Sequence, residues 1–149
     1  MKELSQIFEI VVFTASHSCY ANVVLDYLDE KKELIHHRMY REHCIGTKEG
    51  VFIKDLRIIN NRKLENMIIV DNAAYSFAFQ MDNGIPILPF YDFKSDNELL
   101  TLTYYLKALS EVPDVREVNK NFFKFSQFEK YSEMQDLIEG EFKSKIARI

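Results

Sequence analysis

An α/β fold with a mainly parallel sheet is predicted by two observations. Three short apolar runs each stop at a compact polar group: Ile10-Val-Val-Phe-Thr-Ala-Ser16, Val51-Phe-Ile-Lys-Asp-Leu56 and Met67-Ile-Ile-Val-Asp-Asn72. The stretches between and after them carry apolar residues three or four apart, the spacing of helices that cover a sheet. Such a sheet binds ligands beyond the carboxyl ends of its strands, where these polar groups fall.

Taken in order, Lys2 to Gln6 reads as the last turns of a helix. Ile10 to Phe13 is a continuous apolar run, the pattern of a parallel strand buried on both faces. Thr14 to Ser18 is a polar turn in which Ser16 or Ser18 can cap the next helix. Along that helix Ala21, Val24, Leu25 and Leu28 form one stripe that is expected to be buried. Ile35 to Tyr40 and Gly50 to Ile53 are shorter strand candidates. Asn60 to Glu65 is a turn or short helix, and Met67 to Val70 a second core strand. Ala73 to Phe79 is expected to be helical, and Ile85 to Leu88 a short strand that Pro86 confines to an end or edge. Ser95-Asp-Asn-Glu98 has capping-box spacing, opening a helix whose inward stripe is Leu99, Leu102, Tyr105 and Leu106. Val112 to Val118 reads as a connector. From Ser126 to Ile149, the positions of Phe128, Tyr131, Met134, Leu137, Ile138 and Phe142 predict a helical tail, so the expected division is a domain over 1–125 and a tail over 126–149.

With 149 residues, twelve Phe and eight Tyr, the chain has apolar matter for one core and no more than one domain. The net charge of -4 gives no support to nucleic-acid binding. Cys19 and Cys44 suggest no disulfide framework, and no apolar stretch has the length of a bilayer span. The reading is a protein without membrane insertion in a reducing compartment. Local positive charges at Lys31, Lys32, Arg38 and Arg41 either meet solvent or face an anionic ligand.

The chemistry sits at the strand ends. Asp71 and Asn72 put a carboxylate beside an amide carbonyl, hard oxygen donors that suit Mg²⁺ retaining several waters; a turn or helix cap is the alternative. Thr14 has a hydroxyl to donate, and the N–H groups that follow it can face an anion. Lys54 brings a full positive charge, either to a phosphate oxygen or to a surface pair with Asp55. Together these groups can hold a phosphoryl group and neutralise charge developing on it. His36 and His37 fall on opposite faces of a strand and His43 completes no ligand set, so zinc is not expected. Nothing in the sequence activates Cys44 as a nucleophile.

The chain resembles the FCP1-homology phosphatase domain, also called the NLI-interacting-factor-like or CTD small phosphatase family, of the haloacid dehalogenase superfamily. The resemblance rests on Phe8-Glu-Ile-Val-Val-Phe-Thr-Ala-Ser16, Tyr20-Ala, Leu25-Asp-Tyr-Leu-Asp29, Tyr40-Arg-Glu-His-Cys44, Phe52-Ile-Lys-Asp-Leu56, Ile68-Ile-Val-Asp-Asn72, Asp82-Asn83 and Asp96-Asn-Glu-Leu99, in the family order. It implies a three-layer, mainly parallel sheet and a Mg²⁺-dependent hydrolase of phosphoserine or phosphothreonine in proteins. Thr14 and Lys54 would be its catalytic phosphate-binding residues, Asp71 and Asn72 its metal pair, and Arg41 a substrate-binding residue.

Two departures qualify that expectation. The family's Asp-Leu-Asp-Glu-Thr strand, whose first Asp attacks phosphorus, does not occur here, so the sheet is expected to be incomplete at its amino-terminal side. Ala73-Ala74 stands where Ser-Pro is usual. Because a phosphoaspartyl mechanism needs an aligned nucleophile, this chain alone is not expected to turn over substrate. The readings left open are part of a protein serine/threonine phosphatase, completed by a strand from elsewhere in its own protein or from another chain; a catalytically silent interaction or assembly subunit of a complex; and a phosphate sensor without turnover.

Overall fold

The computed structural model describes residues 1–92 and 94–125, and the expected 126–149 tail lies outside them. Among the described residues the strands are β1 (Val11–Phe13), β2 (His37–Met39), β3 (Ile45–Gly46), β4 (Phe52–Ile53), β5 (Ile69–Asp71) and β6 (Gly84–Pro86). The α-helices are α1 (Ser18–Leu28), α2 (Glu98–Leu109) and α3 (Val115–Phe123). Short 3₁₀ turns include Leu4–Gln6, where the end of a helix was expected, and Leu64–Asn66 just before β5.

The class is α/β, but in place of one sheet the strands form three two-stranded ladders. β1 runs parallel to β2 and β5 parallel to β6, while β3 and β4 are antiparallel. Among the described residues β1 and β5 therefore each keep one unpaired edge. The expectation of parallel strands holds for the Ile10 and Met67 runs, each of which reaches its neighbour through a long crossover rather than a tight turn, and fails for the Val51 run, whose β4 is antiparallel to the nearby β3.

Alternation along β5 builds the core. Ile69 packs into a cluster with Leu56, Met67, Ala74, Phe77 and Phe125. The preceding Ile68 faces a second cluster made by Ile85, Leu106, Leu109 and Val115. Successive side chains on a strand point to opposite faces, so the β5–β6 ladder is covered on both sides at its start, while Val70 further along is exposed. Phe123 packs against both clusters and ties α3 to each. Two buried amides close the polar gaps. Asn83 donates to the carbonyls of Leu64 and Met67 at 2.6 and 2.7 Å, and Asn119 donates to Asp82 O at 3.0 Å while accepting from the Tyr105 hydroxyl at 2.8 Å.

Several local expectations are corrected. On α1 only Ala21 and Leu25 are buried; Val24 and Leu28 are exposed, as are Tyr20, Val23 and Tyr27. The helix touches the body along one narrow line, so most of its apolar residues lie off the contact. On α2 Leu99 is exposed for the same reason, and full burial is reached only two turns later, at Leu106. Ser95 does not cap that helix. Asp96 takes the N–H of Glu98 at 2.9 Å, so the helix starts at Glu98. The supposed connector is the start of α3, capped by Asp114, which accepts from Arg116 N–H. Ala74–Asn83 is a 3₁₀ run with non-helical backbone at Phe77 and Gln80, in place of a regular helix. The kinks let Phe77 enter the core and Gln80 turn inward.

Candidate functional site

β1 ends at Phe13, so Thr14 opens the turn beyond its carboxyl end. Its N–H continues the ladder by donating to Met39 O at 2.9 Å, and its Oγ1 accepts the Ser16 N–H at 3.1 Å. A hydroxyl that accepts in this way still has its proton to donate. Asp71 is the last residue of β5, and Asn72 the first beyond it. Lys54 directly follows β4.

Lys54 and Asp71 meet. The Lys54 Nζ lies 2.5 Å from Asp71 Oδ2, with only 12% and 9% of the two side chains exposed, and 6.0 Å from the centre of the Phe13 ring on β1. The other carboxylate oxygen, Oδ1, accepts the Ala73 N–H at 2.8 Å, which pins the carboxylate over the turn after β5. The alternative pairing of Lys54 with Asp55 is not what the chain adopts: Asp55 turns inward, away from the ammonium. A cavity of about 280 Å³ borders the pair, lined by Ala15, Gly50 to Phe52, Lys54, Asp71 to Ala73, Tyr75 and Ser76. The ends of β1, β4 and β5 thus converge on one space.

Arg41 is not among the lining residues but touches two of them, Ala15 and Phe52. The guanidinium donates from Nε to Ala15 O at 2.6 Å, meets His17 Nε2 through Nη1 at 3.0 Å and lies 4.8 Å over the Phe52 ring. Its backbone N–H also holds Ser16 O at 3.1 Å. Arg41 therefore clamps the turn after β1 against β4 with several of its donors already engaged. Arg38 is directed elsewhere, to Asn22 and Asp26 on α1.

Lys54 brings positive charge to the cavity, and Asp71 and the exposed Asn72 bring two adjacent side-chain oxygens; Thr14 is not among the lining residues, although its neighbour Ala15 is. Two such donors fit Mg²⁺, which commonly takes one or two protein oxygens and fills its octahedron with water and substrate phosphate. Among the described residues no group of three His, Cys, Asp or Glu side chains gathers as a metal site. His36 accepts the Ile10 N–H through Nδ1, His37 meets Glu9 and His43 accepts the Tyr40 N–H. Cys44 has its Sγ 3.8 Å from both Thr14 O and Tyr40 O, and burial raises its thiol above the usual range against the pull of Lys54 and Arg41.

Sequence reasoning missed Asp55 and Gln80. Asp55 is buried and accepts from the Arg57 N–H, from the Arg57 guanidinium and from Gln80 Nε2. The Arg57 bonds, opposed by burial, hold its carboxyl down to about 2. A signal for Asp55 exists in Asp-x-Arg spacing after a strand, an Asx-type turn; a single Gln in an apolar run gives none.

Comparison with known proteins matches residues 1–116 to the model of the NLI interacting factor-like phosphatases. The chain is 42% identical over 125 residues to CTD small phosphatase-like protein 3 of Caenorhabditis elegans, covering 83% of this chain and 43% of that protein. It is 46% identical over 118 residues to a probable C-terminal domain small phosphatase of Dictyostelium discoideum, with 79% and 38% covered. With CTD nuclear envelope phosphatase 1 of Xenopus laevis the identity is 39% over 118 residues, with 79% and 48% covered. The chain spans less than half the length of each of these relatives. No helix among the described residues is long and apolar enough to cross a membrane.

Proposed function

Because the chain belongs to the NLI interacting factor-like phosphatase family, we propose that it is part of a Mg²⁺-dependent protein serine/threonine phosphatase that works through a phosphoaspartyl step. The observation that carries the reading is the Lys54–Asp71 pair at the cavity where β1, β4 and β5 end. Relatives named as phosphatases support the reaction class. A single haloacid-dehalogenase-like sheet would form if a further strand lay between the unpaired edges of β1 and β5, bringing its carboxylates to that cavity. That strand comes from the same protein or from a partner chain.

In this reading Lys54 binds an equatorial oxygen of the phosphoryl group and offsets the charge that grows there, its ammonium largely buried beside Asp71. Thr14 donates its hydroxyl proton to a second oxygen. Asp71 and Asn72 would hold Mg²⁺, which would supply further positive charge for the same neutralisation. Arg41 shapes the wall where the phosphoprotein segment lies and offers its remaining donors to it. The Asp nucleophile of the added strand attacks phosphorus as the P–O bond to the serine or threonine oxygen breaks and that oxygen takes a proton from the strand's second carboxyl; water then hydrolyses the acyl phosphate, releasing phosphate and restoring the Asp.

A second reading, a silent phosphatase-like assembly subunit, is favoured by a different observation. Tyr20, Val23 and Tyr27 make an exposed apolar line on α1, a surface that suits contact with another protein. One experiment separates the two. The full chain, alone and mixed with a polypeptide carrying an Asp-x-Asp strand, is assayed on a phosphoserine peptide with and without Mg²⁺. Mg²⁺-dependent phosphate release only in the mixture, lost by at least about a hundredfold in Lys54→Ala as expected for removing a charge that acts in the transition state, supports the enzyme. A stable complex that releases no phosphate sinks the enzyme and leaves the assembly role.

A further inference from the structure

We propose that Gln80, acting with Asp55, is a positioning residue for Lys54: its side chain latches the segment after β4 onto the segment after β5. Three consecutive residues carry the latch. The Lys54 N–H donates to Ser76 O at 2.7 Å. The Asp55 carboxylate accepts from Gln80 Nε2 at 3.0 Å. The Leu56 N–H donates to Gln80 Oε1, also at 3.0 Å. One amide thus uses both ends at once, with Gln80 8% and Asp55 6% exposed.

The run that holds Gln80 also supplies Ala74 and Phe77 to the core. An apolar residue in its place would leave the buried Leu56 N–H without its acceptor. The Gln80 backbone leaves helical geometry at φ -136, ψ 62, at the kink that brings the side chain inward. A buried amide with both ends satisfied fixes a unique arrangement, whereas apolar contacts alone tolerate sliding.

The consequence falls on Lys54. Its flexible four-carbon stem reaches Asp71 with little freedom only if the backbone that bears it is held still. The same 74–83 segment that makes the latch begins two residues after Asn72. Asp71, Asn72 and the latch therefore move as one piece, and Lys54 is referenced to them. This positioning is independent of the phosphatase reading, which it uses only for the purpose of Lys54.

The test is the acetylation rate of each lysine in the folded full chain, followed by mass spectrometry. In the wild type Lys54 labels more slowly than Lys63, whose side chain is largely exposed. In Gln80→Met the buried Leu56 N–H loses its acceptor, and Lys54 is expected to label about tenfold faster while Lys63 is unchanged. Leu109→Ala, in the other core cluster, serves as the control for general loosening and should leave the Lys54 to Lys63 ratio in place. An unchanged ratio in folded Gln80→Met overturns the proposal, as does an equal rise in Leu109→Ala. Should Gln80→Met fail to fold, Gln80→Glu keeps the acceptor for Leu56 but sets a carboxylate against Asp55; a wild-type ratio there is equally fatal. Inorganic phosphate is tested separately on the wild type: failure to slow Lys54 labelling counts against phosphate binding and leaves the latch standing.

Discussion

Replacing Asp55 by Asn tests how firmly the Lys54 segment is anchored, and its magnitude follows from the carboxylate's surroundings. The Asp55 carboxyl is lowered from 3.8 to about 2, first by hydrogen bonds from the Arg57 side chain and against the cost of burial. At about 1.4 kcal/mol per pKa unit, that shift corresponds to an upper bound of about 2.5 kcal/mol. Arg57 is 65% exposed, so water screens its contribution and about 1 kcal/mol is a fairer value. The Asn amide adds a conflict, because its NH₂ must face either the guanidinium or the Gln80 NH₂. The expected loss is about 1–2 kcal/mol at pH 7, which at a urea slope of about 2 kcal/mol/M moves the unfolding midpoint down by about 0.5–1 M.

The pH dependence carries the sharper check. A depressed folded-state pKa gives stability that is fully present above the unfolded value of 3.8 and is lost as pH falls through about 2. The gap between wild type and Asp55→Asn should therefore be constant from pH 7 to pH 5 and roughly half gone by pH 3. Other carboxylates titrate in both proteins and cancel in the difference. Equal midpoints at pH 7, or a gap that stays undiminished down to pH 3, would refute the reasoning.

Further predictions concern the core beneath the site. Gly84→Ala places a Cβ on the Phe77 ring, which is fully buried, so overpacking should cost about 1–3 kcal/mol, measured by urea unfolding; a second substitution, Phe77→Leu, should recover part of it. Tyr105→Phe removes the donor to the buried Asn119 and should cost about 1–2 kcal/mol in the same measurement. Burial raises the Tyr105 hydroxyl to about 12, so its contribution is present below pH 10 and fades as pH rises through 12; ultraviolet titration should show one late-ionising tyrosine that the variant lacks. Loss of phosphate release in the completed Lys54→Ala complex and faster Lys54 acetylation in Gln80→Met extend the series to the site itself.

The strand ends were legible because their signals are local. A run of three or four apolar residues closed by a polar one marks a strand and its end, and Thr14, Lys54 and Asp71 all stand at such ends, although β1 and β4 are half-buried rather than covered on both faces. Faces were read less well. Val24, Leu28 and Leu99 have the periodicity of buried residues yet are exposed, since periodicity defines a stripe without saying how wide its cover is. The 115–123 helix escaped notice because Pro113 reads as a stop, whereas Pro113-Asp114 also precedes a capped start.

The amino-acid order alone thus determined the α/β class, the apolar runs and the polar group at the end of each, because these follow from side-chain period and turn chemistry over a few residues. Tertiary structure decided who pairs with whom. The sequence offered Lys54 its neighbour Asp55, but in the fold Asp55 is engaged by Arg57 and Gln80, and the ammonium meets the distant Asp71. Contacts of that kind join residues far apart in the chain and depend on where a folded core sets each backbone, which no local pattern encodes.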